Sequence, residues 1–212
     1  LPSAEKILEK IGPKVAVEPK YDGFRAQVHI FSEEGKRKVN IFSRNLENTT
    51  HMFPDLVEAI SEVKVKTAIF DSEAIGYEPK SGKFLPFQET VQRKRKHDIE
   101  EIAKKLPLKL FIFDILYKDG KSYLEAPFSE RRKVLGQTIG KKGAKLEITR
   151  QEITDSAERI RDLIQTYLSE GLEGAMIKKI EAPYKAGARG FHWIKYKKNT
   201  GGGVADTIDC LV

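Results

Sequence analysis

Lys20 closes an alternating apolar run, Val15-Ala16-Val17-Glu18-Pro19-Lys20, and is followed at once by Tyr21-Asp22-Gly23-Phe24-Arg25. Val15 and Val17 alternate with Ala16 and Glu18, and Phe24, Ala26, Val28 and Ile30 with Arg25, Gln27 and His29, so the segment reads as strand, tight Asp-Gly turn, strand. A lysine at a strand end is held rigidly yet reaches a ligand, and Arg25 on the returning strand keeps a second positive charge nearby. A neighbouring cation and partial desolvation turn an inert ammonium into a nucleophile, so the chemistry on offer is covalent catalysis by an amine. Three other groups of side chains are candidates for chemistry. Asp71 and Glu73 share a strand face with Ile69 and Ile75, a position costly for carboxylates unless they are paired or bound to a metal. In Trp193-Ile194-Lys195-Tyr196-Lys197 the alternation sends Lys195 and Lys197 to one face, where both meet phosphate oxygens. Arg93, Lys94, Arg95 and Lys96 form a basic loop suited to gripping DNA phosphates without reading sequence. His29, His51, His97 and His192 lack zinc-ligand spacing and read as structural or surface residues.

The elements that must position these groups follow from periodicity and punctuation. Ser3 caps a short helix with Ile7, Leu8 and Ile11 on one face, ended by Gly12-Pro13. After the central hairpin the charged turn Glu33 to Lys38 leads to a strand through Val39, Ile41 and Phe42. A helix near Pro54 to Val63 turns Leu56, Val57 and Ile60 inward, with Pro54 in a tolerated first-turn position. The strand around 67–78 carries the two acids, and 108–123 is a second central strand closed by Asp119-Gly120. Between them a helix presents Ile99, Ile102, Ala103 and Leu106 as a core stripe. Residues 155–171 give the clearest helix: Asp155 and Glu158 form a capping-box pattern, Ile160, Leu163, Ile164, Tyr167 and Leu168 make the buried stripe, and Gly171 stops it. Two further strands, around 172–180 and 191–198, are separated by the Gly-containing stretch 182–190. Helices and strands mix without regular βαβ alternation, which predicts an α+β fold with largely antiparallel sheets.

The chain of 212 residues is long enough for one large domain or two small ones, and 33% charged with 40% hydrophobic residues marks a folded chain. A net charge of +7 suits a polyanionic partner. The single cysteine, Cys210, forms no internal disulfide and fits a reducing, intracellular compartment. No apolar run reaches the roughly 20 residues of a membrane span. Gly201-Gly202-Gly203 reads as a linker, with the strand-like 204–212 beyond it, so residues 1–200 are expected to be one domain and 201–212 the start of another.

Lys20-Tyr21-Asp22-Gly23-Phe24-Arg25, preceded by Glu18, resembles motif I of the covalent nucleotidyltransferases, and the form EPKYDGFRAQVHI is most like ATP-dependent DNA ligases of the archaeal and eukaryotic type. Further stretches resemble the family's later motifs in order: Ser43-Arg44-Asn45, Phe70 to Ala74, Phe111 to Asp114, Glu173 to Lys178, and Trp193 to Lys197. The resemblance thus covers nearly the whole chain. It implies a nucleotidyltransferase fold of two packed, largely antiparallel sheets flanked by helices, with a nucleotide cleft between them. It also implies that Lys20 carries AMP from ATP, and that Glu18, Arg25, Arg44, Glu73, Phe113, Lys178, Arg189, Lys195 and Lys197 contact nucleotide, with Phe113 stacking on adenine and Lys178 at the α-phosphate. Glu73 and Glu173 are implied as Mg²⁺ ligands. Glu170 belongs to the preceding helix end and is set aside. Arg44 is implied at the DNA end. The implied partner is nicked double-stranded DNA, the enzyme a monomer working in cytoplasm, nucleoid or nucleus. An OB-fold domain, a DNA-binding domain and a sliding clamp are expected with it. Two alternatives stay open on the residues: an RNA ligase or mRNA guanylyltransferase, which share K-x-D-G, and a non-catalytic basic DNA-binding module.

Overall fold

A computed structural model of the chain describes residues 3–94, 98–140, 145–187 and 191–197. The expected glycine linker and the stretch after it lie outside these residues, as do Arg95, Lys96, His97 and Arg189.

Among the described residues the strands form two sheets. Sheet A has the order β10-β9-β1-β8, built from β1 (Val15–Lys20), β8 (Glu152–Thr154), β9 (Gly174–Lys179) and β10 (Trp193–Lys197). Sheet B has the order β3-β2-β4-β5-β6, from β2 (Phe24–Glu33), β3 (Lys36–Phe42), β4 (Ala68–Gly76), β5 (Leu108–Lys118) and β6 (Lys121–Ser122), and β7 (Leu146–Ile148) pairs parallel with β5. Every other pairing is antiparallel, as expected for an α+β chain.

Each sheet has its own core. Phe24, Val28, Ile30 and Ile41 of sheet B pack with Phe70, Leu110 and Ile112, under Leu56 and Ile60 of α2 (Pro54–Ser61) and Leu135 and Ile139 of α5 (Phe128–Ile139). Val15, Val17, Ala175 and Ile177 of sheet A pack against Ile7 and Ile11 of α1 (Ala4–Ile11) and Ile160, Leu163, Ile164 and Tyr167 of α6 (Ala157–Ser169). The helices thus cover the outer faces and leave the inner faces to each other, the arrangement that the family resemblance implied. Tyr21 pins the sheets at one end: its ring stacks on Phe111 at 4.0 Å, with Phe84 edge-on to both.

The Asp22-Gly23 segment departs from the expected hairpin. β1 and β2 do not pair with each other; the chain leaves sheet A at Lys20 and enters sheet B at Phe24. Gly23 is needed for proximity, since a Cβ there would lie 2.2 Å from the Ala74 carbonyl oxygen of β4. Genuine hairpins occur where both turn residues have positive φ, at Glu34-Gly35 (49° and 73°) and Asp119-Gly120 (45° and 93°). Three further expectations need correction. The cap of α6 is Ser156, whose side chain accepts from Arg159 N–H, and not Asp155. The 99–106 stripe is only half-buried, and α4 (Ile99–Lys105) contains no fully buried residue. α5, β7 and β8 have no counterpart in the sequence reading.

Candidate functional site

Sheet A supplies the floor. Its registers place Lys20 beside Gly174 and Gly174 beside Lys197; Glu18, Met176 and Lys195 form the next row, and Ala16, Lys178 and Trp193 the third. Alternation puts these side chains on the inner face, because Val17, Ile177, Ile194 and Tyr196 between them belong to the outer core. Glu173 stands just ahead of β9, its N–H donating to the Lys20 carbonyl at 3.0 Å. Lys20 Nζ donates to Glu173 Oε2, and Lys197 Nζ donates to Oε1 at 2.5 Å. Burial opposes the Glu173 charge, but the two ammonium groups outweigh it and hold its pKa below the ordinary carboxylate value. Gly174 makes this junction possible: φ is 144°, and a Cβ would sit 2.0 Å from the Tyr196 carbonyl oxygen.

Sheet B supplies the wall. Arg25 Nε donates to Asp71 Oδ1 at 2.7 Å and Nη2 to Oδ2 at 2.6 Å, a bidentate pair across adjacent strands. Asp71 thereby has the partner that a buried acid requires. Burial works against the Arg25 charge, but Asp71 prevails and raises its pKa. Glu73 lies opposite Arg25 in the β2–β4 register. Its pKa is pushed up to about 7, first by burial and then by the like charges of Asp71 and Glu173, while Lys20 and Arg25 oppose the shift. Lys20 and Glu173 act on Glu73 from the other sheet, so the three face one cleft. Phe113 lines the cleft, half-buried and edge-on to Trp193 at 5.9 Å, with a face toward Lys178.

Several predicted residues already have partners within the protein. Lys178 and Glu18 pair with each other at 2.6 Å, and each side chain is 1% exposed. The Lys178 ammonium is surrounded by Phe113, Phe128 and Trp193 at 4.3–5.0 Å. Gln151 Nε2 donates to Glu18 at 3.1 Å and Arg132 lies 3.6 Å from it. In this arrangement the pair is neutralised and buried on the inner face of sheet A, against Phe113 and Trp193. Arg93 is corrected as a DNA contact: it is 2% exposed and bonded to Asp55 of α2. Lys94 lies over the Phe24 ring at 4.9 Å. Arg44, just past β3, is exposed in a turn where Ser43 Oγ accepts from the N–H groups of Asn45 and Glu47. Lys195 is exposed on the floor's face.

Sequence reasoning missed Tyr184, whose hydroxyl accepts from Arg25 Nη2 and donates to Asp71 Oδ2, both at 2.8 Å. It also missed Arg131, whose Nε and Nη2 grip Asp114 at 2.8 and 3.1 Å in full burial. Tyr184 lies in an irregular connection with no periodicity to read; the unpaired look of Asp71 was the one signal that a partner existed.

The implied Mg²⁺ was tested against the donor set. No group of three or more His, Cys, Asp or Glu able to hold a metal exists among the described residues. Two hard carboxylates, Glu73 and Glu173, do face the cleft, which fits an ion that takes one or two carboxylates and completes its shell with water and phosphate oxygens. Both Glu173 oxygens already accept from ammonium groups, so Glu73 is the better-placed ligand.

The family model described as "ATP dependent DNA ligase domain" matches residues 1–197. A probable DNA ligase of Dictyoglomus thermophilum is 47% identical over 210 residues, covering 99% of this chain and 35% of that protein. The DNA ligase of Acidianus ambivalens is 40% identical over 210 residues, 98% of this chain and 34% of its own length. The chain therefore spans 35% or less of the length of these two relatives. Among solved structures, mycobacterial DNA ligase D complexed with ATP and MES superposes with a TM-score of 0.67 at 23% identity, over 89% of this chain and 56% of that one. Chlorella virus DNA ligase-adenylate gives 0.59 at 18%, over 87% and 62%. With Glu173 bonded to both Lys20 and Lys197 in a two-sheet cleft, and the family model matched over residues 1–197, this chain belongs to the ATP-dependent DNA ligase domain family.

Proposed function

We propose that this chain is the nucleotidyl-transfer unit of an ATP-dependent DNA ligase and that Lys20 is its nucleophile. In the first step Lys20 Nζ, having lost a proton, bonds to the α-phosphorus of ATP as the bond to pyrophosphate breaks, giving a lysyl-AMP phosphoramidate. AMP then passes to the 5′-phosphate of a DNA nick, and the 3′-hydroxyl displaces AMP to seal it. The observation that carries this reading is the meeting of Lys20 with Glu173, 153 residues away, whose other oxygen takes Lys197, at one end of a cleft walled by Arg25 and Glu73.

The chain's own groups fit the demands of the step. Glu173 Oε2 touches Lys20 Nζ, so it orients the amine and is the nearest acceptor for its proton. Lys197 and Lys195 sit on the same face as Lys20, where cations offset charge on phosphate oxygens. Arg25, pinned on one side by Asp71, has its other edge left for the nucleotide. Glu73 would hold a Mg²⁺ ion, which would supply Lewis-acid neutralisation of the leaving group.

The test is the intact mass of the protein after ATP and Mg²⁺, then after added pyrophosphate. One AMP should appear and be removed, and peptide mapping should place it on Lys20. AMP on Lys178 or Lys195 overturns the assignment; label from GTP and not ATP turns the reading toward mRNA capping. Nicked duplex DNA and the domains by which the relatives exceed this chain are the proposed partners, in an intracellular setting.

A further inference from the structure

Two aspartate–arginine pairs stand side by side on sheet B. Asp71 of β4 faces Asp114 of β5 in register; Asp71 holds Arg25, and Asp114 holds Arg131 of α5. Adjacent buried carboxylates repel, so each needs its own cation. Tyr184 lies between the pairs. Its hydroxyl joins the first, and its ring lies 5.8 Å from the Arg131 guanidinium of the second. The ring also meets Trp193 edge-on at 5.8 Å, and the backbone is tied down: Tyr184 N–H donates to the Leu124 carbonyl at 2.8 Å. Two residues earlier the Ala182 carbonyl accepts from Phe128 N–H at 3.0 Å and Arg131 Nη1 at 3.1 Å. The phenol, 8% exposed, is therefore fixed from every side, and burial and the Asp71 charge keep its proton in place.

The consequence falls on Arg25. Its Nε donates to Asp71, and Nη2 donates to both Asp71 and Tyr184. Asp71 alone leaves the guanidinium able to slide or tilt, because a carboxylate accepts over a broad arc. A third contact, from Nη2 to the Tyr184 hydroxyl, restricts that freedom and leaves Nη1 as the edge that Asp71 and Tyr184 do not occupy. Ordering a long side chain before binding lowers the entropy lost when a ligand arrives.

We propose that Tyr184 is a positioning residue: with Asp71 it locks the Arg25 guanidinium so that Nη1 meets the nucleotide, tying the connection between β9 and β10 to nucleotide affinity. The inference rests on reading the cleft as the nucleotide site. Tyr184→Phe keeps the ring packing and removes only the hydroxyl. It should raise the ATP concentration for half-maximal lysyl-AMP formation about 5- to 10-fold and change the saturated rate less than about 2-fold, the pattern of a lost uniform binding contact. In an Arg25→Lys background, which cannot form the side-on fork, the same change should have no further effect on that concentration. The Arg25 Nε–H resonance, slow to exchange in the parent, should exchange faster in Tyr184→Phe without nucleotide present. An unchanged ATP dependence in Tyr184→Phe overturns the inference, as does an equal loss in the Arg25→Lys background, which marks a general packing role. If the parent itself forms no adduct, the nucleotidyl-transfer reading fails and takes this inference with it, an outcome told apart by the parent protein alone.

Discussion

Glu73 shows at single-residue scale what the site costs the fold. Its folded pKa of about 7 lies above the ordinary 4.5, so folding favours the protonated acid. Below about 4.5 both states are protonated and there is no penalty; as pH rises toward 7 the unfolded chain ionises first, and stability is lost. Glu73→Gln should therefore stabilise the nucleotide-free protein by about 1–3 kcal/mol above pH 7, with the gap closing below pH 4.5, and should strongly slow adduct formation. Thermal melts of both proteins at the two pH extremes check the first part; a gap that persists in acid refutes it. Arg93 makes the opposite case. Buried against Asp55, it should cost about 3–5 kcal/mol when changed to Ala, yet leave the salt dependence of nicked-duplex binding unchanged. A shallower slope in a folded Arg93→Ala protein would restore it as a DNA contact. Lys20, Asp71 and Glu73 were legible because a nucleophile beside Asp-Gly and acids among isoleucines are locally odd. Arg93 was not, since a run of four basic residues looks solvated throughout, and Arg93 is fixed by an aspartate 38 residues away.

Elements divide in the same way. α1, α2 and α6 were legible from their apolar faces, and the hairpins at Glu34-Gly35 and Asp119-Gly120 from dipeptides whose φ values are positive. Asp22-Gly23 uses the same alphabet for a different end, because what selects glycine there is the Ala74 backbone of a strand not yet reached. α5 escaped notice because Arg131 occupies a buried position on it and breaks the apolar period, compensated by Asp114 on the neighbouring sheet. The close approach at Gly174 gives a sharp prediction. Gly174→Ala must part β9 from β10 and move Glu173 off Lys197, costing about 1–3 kcal/mol and abolishing adduct formation in protein that remains folded. Wild-type adduct rates in that variant would mean that the Glu173–Lys197 contact has no part in the reaction.

At the scale of the molecule, the chain accounts for 35% of the length of its D. thermophilum relative and carries a net charge of +7. The cleft has one floor and one wall, with no further element from the described residues over it to hold pyrophosphate or encircle a duplex. These 212 residues should therefore bind nucleotide, form lysyl-AMP slowly and seal nicks poorly, with sealing recovered when the chain is extended to the length of its relatives. Multiple-turnover sealing by this chain alone, followed on a labelled nicked duplex, refutes that. The sheet order has one more effect, on biosynthesis. Sheet B draws its core from residues 24–146 in one continuous stretch, whereas sheet A joins β1 at the start to β9 and β10 at the end. A nascent chain emerging from the ribosome can thus complete the wall while Lys20, the proposed nucleophile, still lacks a floor. Lys20 gains Glu173, and Glu173 gains Lys197, only when the last strands arrive, so a polypeptide whose translation stops before residue 173 holds the proposed nucleophile but no assembled site around it.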